Sequence, residues 1–204
     1  MEKEMDLSIA RFIKEYWEQE EAQERERLRK QYDPKEHITY TLEELTEGIR
    51  AGRQMLYLLP LEFEPRPLLE GRITIPYVKD FFDIEDNEPE GVLFVSNKRK
   101  VAFSLSDAPC EKVLQPLEQW IARTRESFRE MKWNMKVGQK KSMGNMEYFC
   151  YVMPTPQGRL YNVMFRFLKN GRLYAGVLNC PEEDRKGMGL LLEAMVYVIQ
   201  EMND

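Results

Sequence analysis

Few side chains in this 204-residue sequence combine the chemistry of a catalytic group with a suitable neighbour. His37 is the only histidine, and it follows the helix-breaking pair Asp33 and Pro34. A general base or a metal ligand needs partner side chains, and no spacing in the sequence assigns partners to His37. We therefore interpret His37 as a surface residue.

A run of carboxylates between residues 80 and 90 is the best candidate for binding a cation. The segment DFFDIEDNEPE carries six acidic side chains and no basic one. Hard cations such as Ca²⁺ prefer several oxygen ligands, but the spacing does not match the EF-hand pattern and its glycine is missing. We expect a solvated loop or an acidic docking patch here, with no bound metal. The weak candidates for metal ligands are Asp83, Glu85, Asp86 and Glu88.

The cysteines and glycines do not form a catalytic motif. Cys110, Cys150 and Cys180 are widely spaced, with no CxxC pair and too few histidines for a zinc set. They are typical of buried thiols in a reducing compartment. The sequence also lacks a G-x-S-x-G elbow, a phosphate-binding loop and a dinucleotide-binding glycine pattern. We expect no cofactor and no enzymatic activity.

Basic side chains gather with aromatic ones between Arg123 and Lys141, where seven basic residues stand against Glu126 and Glu130. This stretch is the best local candidate for contact with an anionic or protein partner. The chain as a whole has a formal charge of -5, which disfavours general nucleic-acid binding. A solvated basic face beside the acidic N-terminal region is the more economical interpretation, and pairing of the two, within a chain or between subunits, is a testable hypothesis. The candidate contact residues are Arg125, Arg129, Lys132, Trp133 and Lys136.

The N-terminal segment predicts an amphipathic helix that becomes almost entirely charged from Glu18 to Lys30. The apolar positions of its first half are suited to docking on the body, on a second copy or on another protein, and the sequence does not choose between these. We name Ile9, Phe12 and Tyr16 as candidate partner contacts. The initial residues MEKEMDLSIARF lack the apolar region of a secretion signal, and no apolar run approaches the roughly 20 residues that span a bilayer. We therefore expect a cytosolic protein without membrane insertion.

The C-terminal third predicts three antiparallel strands followed by a helix. The strands span 147–153, 159–168 and 172–179, and Asn170 with Gly171 predicts a tight hairpin turn between the last two. Apolar residues then recur at steps of three and four from Met188 to Met202, which indicates a helix packed on the sheet. Gly187 and Gly189 weaken the first turns of this helix.

The preceding part of the chain predicts a helical extension and the rest of a sheet. Thr41 and Glu44 have the spacing of a capping box, and the helix that they begin is expected to end before Pro60. Three prolines between residues 59 and 71 predict an extended connector, so we divide the chain into residues 1–70 and 71–204. In the second part we expect strands at 72–78, 92–95 and 100–105, then a helix beginning near Glu111 or Pro116.

This order of elements resembles the PsbP-like fold, which the photosystem extrinsic protein shares with the yeast Ran-binding nucleotide-release factor. The resemblance covers residues 71–204 and is carried by the segments GRITIPYVKDFF, GVLFVSNKRKVAFSL and GRLYNVMFRFLKNGRLYAGVLNCPEED. It implies an α+β fold in which an antiparallel sheet lies between helices, an α/β/α sandwich. It also implies a role in binding or assembly more often than in catalysis. No functional residue of the family carries over to this chain.

The function that we expect is a non-enzymatic, cytosolic protein-binding or assembly module, with an unknown protein or a second copy as partner. One alternative is a small metal-dependent hydrolase or transferase that uses the acidic segment 80–90. Another is an acidic chaperone or an immunity-like partner of another protein.

Overall fold

The computed structural model describes residues 19–21, 23, 38–110 and 113–204. The chain forms two compact units, Met1–Ile38 and Thr39–Asp204. In the first unit the described residues 19–21 and 23 are helical. His37 and the predicted contacts Ile9, Phe12 and Tyr16 lie outside the described residues.

The second unit consists of helices and antiparallel strands. The helices are α1 (Leu42–Arg50), α2 (Leu117–Glu130) and α3 (Leu190–Asn203). The strands are β1 (Arg53–Leu56), β2 (Leu59–Leu68), β3 (Ile73–Val78), β4 (Ile84–Glu88), β5 (Gly91–Ser96), β6 (Val101–Pro109), β7 (Lys136–Met143), β8 (Met146–Thr155), β9 (Gly158–Lys169) and β10 (Arg172–Pro181). The fold is therefore α+β, as predicted.

Seven of the strands form one large sheet in the order β4-β5-β6-β10-β9-β8-β7, with every neighbouring pair antiparallel. The predicted hairpin between β9 and β10 is confirmed, since Lys169 pairs with Arg172. Asn170 and Gly171 between them have φ angles of 52° and 72°, which is the left-handed geometry that such a two-residue turn requires.

The two faces of the large sheet are covered differently. On the inner face, buried aromatic and aliphatic side chains such as Val163, Phe165 and Phe103 pack under α3, α1 and the other three strands. On the outer face, Ile121 and Trp120 of α2 pack on Phe149 and its neighbours in β8. The sheet thus lies between helical layers, and the outer layer consists of α2 alone among the described residues.

Strands β1, β2 and β3 form a small second sheet, which replaces the predicted connector between residues 59 and 71. The helix that begins at Thr41 ends at Arg50, well before Pro60, and its capping box is present. β2 pairs with β1 through residues 59–62 and with β3 through residues 63–68. Each half of β2 therefore keeps one unpaired side, which is where a strand accommodates proline.

The unit boundary also differs from the prediction. The expected division near Gly71 falls inside the second unit, because α1 packs on α3 and β2 pairs with β3. Residues 39–70 thus belong to the body of the protein.

Two further elements depart from the sequence prediction. The acidic segment 84–88 is a strand, and so is the basic segment 136–143, although neither has the apolar alternation of a half-buried strand. Each lies at an edge of the large sheet and pairs with a more apolar neighbour, β5 or β8. Pairing with a neighbour, rather than burial of their own side chains, makes these segments extended.

Close packing under the middle of the sheet depends on Gly176 in β10. Gly176 lies opposite Leu105 of β6 and Phe165 of β9, and a Cβ atom built on it would overlap the buried Phe165 ring. Its neighbour Ala175 points to the outer face, where it lines a surface depression.

We expect Gly176→Val to lower the free energy of unfolding by about 1–3 kcal/mol, because overpacking forces the Phe165 ring out of its place. Ala175→Val, one residue away on the opposite face, serves as the matched control and should change stability by less than about 0.5 kcal/mol. Urea unfolding followed by circular dichroism measures both. Equal destabilisation by the two substitutions would contradict the assignment of faces.

Candidate functional site

Among the residues that the structure describes, no helix lies over one part of the outer face of the large sheet. Strand alternation points to this face the side chains that we call the open face: Leu93, Val95, Ala102, Ser104, Ser106, Ala175 and Val177. They belong to the neighbouring strands β5, β6 and β10, whereas α2 packs over β7, β8 and β9. Leu93 is 42% exposed, which is high for a leucine in the middle of a strand. The open face is therefore a sheet surface with its apolar side chains partly in water.

A depression of about 580 Å³ occupies one end of the open face. Its floor consists of short side chains, Ser104, Ser106 and Ala175, and Met164 of β9 also lines it. A second depression of about 510 Å³ lies toward the other end of the same strands, where Val95, Ala102 and Asn179 take part in its lining. Short side chains on the floor leave room for groups of a partner to approach the sheet closely.

One wall of the first depression is acidic. Asp86, Glu88 and Glu90 line it, and all three are exposed. Asp86 and Glu88 point to the outer face because they pair with Leu93 and Gly91. The outer face at β4 therefore attracts cations and repels anions.

The remaining weak metal candidates have structural contacts. Asp83 accepts a hydrogen bond from the backbone N–H of Asn97 at 2.6 Å and so orders the turn after β5. Glu85 points inward, where Arg66 donates to it at 2.7 Å and the Tyr77 hydroxyl also donates to it. Among the residues that the structure describes, no three His, Cys, Asp or Glu side chains are grouped so as to hold a metal ion.

The contacts of Glu85 shift the pKa values around it. Burial alone would raise the pKa of Glu85, but the hydrogen bonds from Tyr77 and Arg66 outweigh burial and lower it. Burial, together with the bond to this carboxylate, raises the pKa of Tyr77 to about 12. The Arg66 guanidinium also lies 4.2 Å from the centre of the Tyr77 ring. This cluster joins β4 to the small sheet.

The open face carries hydroxyls and has carboxylates beside it, and among the described residues it has no nucleophile paired with a base. Ser104 and Ser106 are its only hydroxyl side chains, and no histidine lies among the described residues. A serine nucleophile needs a base within hydrogen-bonding reach, and neither serine has a side-chain hydrogen bond in the described part of the chain.

The five predicted basic contacts lie at the C-terminal end of α2 and the start of β7, and Lys136 points to the inner face of the large sheet, away from α2. We call the other four, Arg125, Arg129, Lys132 and Trp133, the basic surface. All five predicted contacts are exposed, and Arg125 and Arg129 lie one helical turn apart. Trp133 is 41% exposed and stacks on Phe128, so burial accounts for only part of its ring.

A buried polar cluster lies under the other half of the sheet, and sequence reasoning missed it. Glu193 of α3 is only 4% exposed and accepts a hydrogen bond from the Tyr161 hydroxyl. Cys150 lies beside them, and burial raises the pKa of its thiol. The signal was a single glutamate inside the apolar run LLLEAMVYVI.

The terminal helix approaches this cluster through an irregular first section. A 3₁₀ turn at Glu182–Asp184 and a π-helical turn at Arg185–Gly189 precede α3. Gly189 lies against the Tyr161 ring and Gly187 against Tyr57, so close that a side chain at either position would overlap the ring. The expectation that these glycines weaken the first turns agrees with this departure from α-helical geometry.

Burial also raises the pKa of Glu193, although its hydrogen bonds with Tyr161 and Cys150 act in the opposite direction. The pKa values of the Tyr161 and Cys150 side chains rise chiefly through burial as well. A thiol with a raised pKa is a poor nucleophile, and both Cys150 and Cys180 are fully buried. Their prediction as buried thiols is confirmed, and Cys110 is partly exposed. We interpret the cluster as structural.

Comparison with known proteins identifies the fold but not a family. No protein-family model matches the chain, and no curated protein matches it in sequence. The structure is similar to the solution structure of cyanobacterial PsbP, CyanoP, from Synechocystis sp. PCC 6803, with a TM-score of 0.54. The fold is PsbP-like. The match covers 66% of this chain and 89% of that chain at 10% sequence identity, so the likeness concerns the fold alone.

A crystal structure of PA94, a Pseudomonas aeruginosa protein of unknown function, aligns with a TM-score of 0.40 at 13% identity. That alignment covers 69% of this chain and 94% of that chain. The resemblance to the PsbP-like fold inferred from residues 71–204 is thus confirmed by the CyanoP match. In the described part of the chain, no helix has both the length and the apolar character to cross a membrane.

The pKa shift of Glu193 predicts a pH dependence of stability. Its pKa is higher in the folded than in the unfolded protein, so between the two values the folded state holds more protons. The free energy of unfolding should therefore fall as the pH rises above about 4.5, until the folded pKa is passed. In Glu193→Gln this contribution is absent, and the variant should gain stability relative to the wild type as the pH rises.

Urea unfolding of the wild type and Glu193→Gln from about pH 4 to about pH 8 measures this difference. Glu183→Gln, at an exposed position nearby in the sequence, is the control and should differ from the wild type by a constant amount. A pH-independent difference for Glu193→Gln would show that the carboxyl has the same pKa in the folded and unfolded states.

Proposed function

We propose that this protein is a non-enzymatic binding module whose open face receives a basic, amphipathic segment of another protein. The observation that carries the proposal is the depression of about 580 Å³ with an apolar and hydroxyl-bearing floor and an acidic wall. Its volume lies within the range of sites that bind ligands, roughly 300–1,000 Å³. The occupant is a protein segment because the surface follows three adjacent strands.

The chemistry of the occupant follows from the charges and sizes of the lining groups. Asp86, Glu88 and Glu90 favour lysine or arginine on one side of the segment. Leu93, Val177 and Met164 favour apolar side chains on the side that meets the floor. Short floor residues at 104, 106 and 175 admit large side chains of the partner. Hydroxyls of Ser104 and Ser106 supply hydrogen-bonding groups at the same floor.

The cellular setting is part of the proposal. Cys110, Cys150 and Cys180 form no disulfide bond in the described part of the chain, which suits a reducing compartment such as the cytosol. Cys150 and Cys180 are fully buried on the inner face of the large sheet, so a segment that binds to the open face does not contact them. The basic surface supplies a second exposed contact region of opposite charge, which we propose for an acidic partner surface.

A matched pair of synthetic peptides tests the binding proposal. One peptide alternates lysine with valine and the other alternates glutamate with valine, each titrated into the ¹⁵N-labelled full chain. We expect the lysine peptide to shift amide resonances of residues 84–88, 91–96, 101–106 and 172–178. The glutamate peptide should leave these resonances unchanged. Shifts that map to α2 or β7 for the lysine peptide would count against the open face.

Variants separate occupation of the open face from general electrostatic attraction. Ala175→Trp fills the floor of the depression without changing any charge, and should weaken binding of the lysine peptide by about tenfold or more. Ala122→Trp, on the exposed side of α2, is the matched control and should leave the affinity unchanged. Equal affinities for the two tryptophan variants would reject the depression as the binding site.

A further inference from the structure

The two edges of the large sheet carry opposite charge. β4, at one edge, has the sequence IEDNE, with three carboxylates and no cation. β7, at the other edge, has the sequence KVGQKKSM, with three lysines and no carboxylate. The charged side chains of both strands are exposed. A strand with a neighbour on only one side presents backbone groups that another chain can pair with.

Charge on an edge strand ordinarily prevents such pairing, but the effect depends on which edges meet. Two β4 edges would bring carboxylates together, and two β7 edges would bring lysines together, so both twofold contacts are repulsive. A β4 edge and a β7 edge attract each other. Opposite charges on the two edges thus disfavour closed dimers and favour a head-to-tail contact.

We infer that copies of this chain associate head to tail, with the acidic edge β4 of one copy against the basic edge β7 of the next. The partner is a second copy, identified by the complementary charges of the two strands. This association pairs the edges of the sheet and does not require an occupant on the open face, although Asp86 and Glu88 belong both to the β4 edge and to the acidic wall of the depression.

The direction of the strands gives the contact a definite geometry. Because neighbouring strands of the seven-stranded sheet run in opposite directions, β4 and β7 run in the same direction. An antiparallel contact between β4 of one copy and β7 of the next therefore requires one copy to be turned over, so that its inner and outer faces are exchanged. Asp86 and Glu88, which point to the outer face, then meet Lys136 and Lys141, which point to the inner face. Glu85 on the inner face correspondingly meets Lys140 on the outer face. Every charged side chain of one edge has an opposite charge across the contact.

Existing contacts of these side chains limit the strength of the association. Glu85 is already paired with Arg66, and Lys140 forms an ion pair with Glu118. Lys141 donates a hydrogen bond to the Tyr197 hydroxyl at 2.8 Å. A bulge between Val137 and Lys140 shortens the regular part of β7. The contact should therefore be weak, reversible and sensitive to salt, because exposed ion pairs are screened.

Sedimentation velocity of the full chain tests the association at several protein concentrations, in about 20 mM and about 500 mM salt. We expect the average mass to grow with concentration in low salt, without a limit at the dimer, and to return to that of the monomer in high salt. A monomer at every concentration in low salt would overturn the inference, and so would a closed dimer that ignores salt.

Charge exchange identifies the surfaces. Asp86→Lys with Glu88→Lys makes both edges basic, and Lys136→Glu with Lys141→Glu makes both acidic. Each double variant alone should associate at least about tenfold more weakly than the wild type, whereas an equimolar mixture of the two should recover the association. Circular dichroism and thermal melting check that each variant is folded.

Arg53→Glu with Arg159→Glu provides the control, since it reverses the same number of exposed charges on β1 and β9, neither of which is an edge strand of the large sheet. This variant should associate as the wild type does. Association that survives both edge variants, or a mixture that fails to recover it while the wild type associates, would assign self-contact to another surface and reject the inference.

Discussion

In the described part of the chain, one helix covers the outer face of the large sheet, and its width leaves part of that face uncovered. Seven strands about 4.8 Å apart make a sheet about 29 Å wide, whereas an α-helix with its side chains is about 10 Å across. α2 packs over β7, β8 and β9, and within the described ranges of the chain no helix lies over β5, β6 and β10 on this face. The inner face is covered more completely, because α1, α3 and the small sheet all pack on it.

The residues on the uncovered strands agree with this constraint. Large apolar side chains there would stand in water, so the floor has short ones such as Ser104, Ser106 and Ala175. Short side chains leave a hollow, and the inward residues of the same strands, Phe94 and Phe103, remain fully buried. One strand thus contributes large residues to the core and small ones to the open face, because its side chains alternate between faces.

The sequence predicts the elements whose burial shows as a regular pattern. The hairpin of β9 and β10, the capping box at Thr41 and the apolar stripe of α3 all have such patterns, and the structure contains all three. β4 and β7 escaped prediction because edge strands can be polar on both faces, and β2 because its prolines suggested a connector. Long-range pairing decides these segments, and a single sequence does not display it.

The same reasoning explains which site residues could be anticipated. The basic surface is local in sequence, so its members could be named together from spacing alone. The open face combines residues of β5, β6 and β10. β6 ends at Pro109 and β10 begins at Arg172, so these strands are distant in sequence and only the strand order of the sheet brings them together. The acidic segment 80–90 was recognised by composition, but the division between inward Glu85 and outward Asp86 needed the register of β4 with β5.

The burial of Cys150 and Cys180 makes their thiols reporters of local opening of the fold. Cys150 and Cys180 point to the inner face from β8 and β10, and neither has any exposed surface. A thiol reagent reaches them only when the sheet separates from α3, whereas Cys110 lies at the partly exposed end of β6. The ratio of slow to fast thiol labelling therefore measures the free energy of that separation without denaturant.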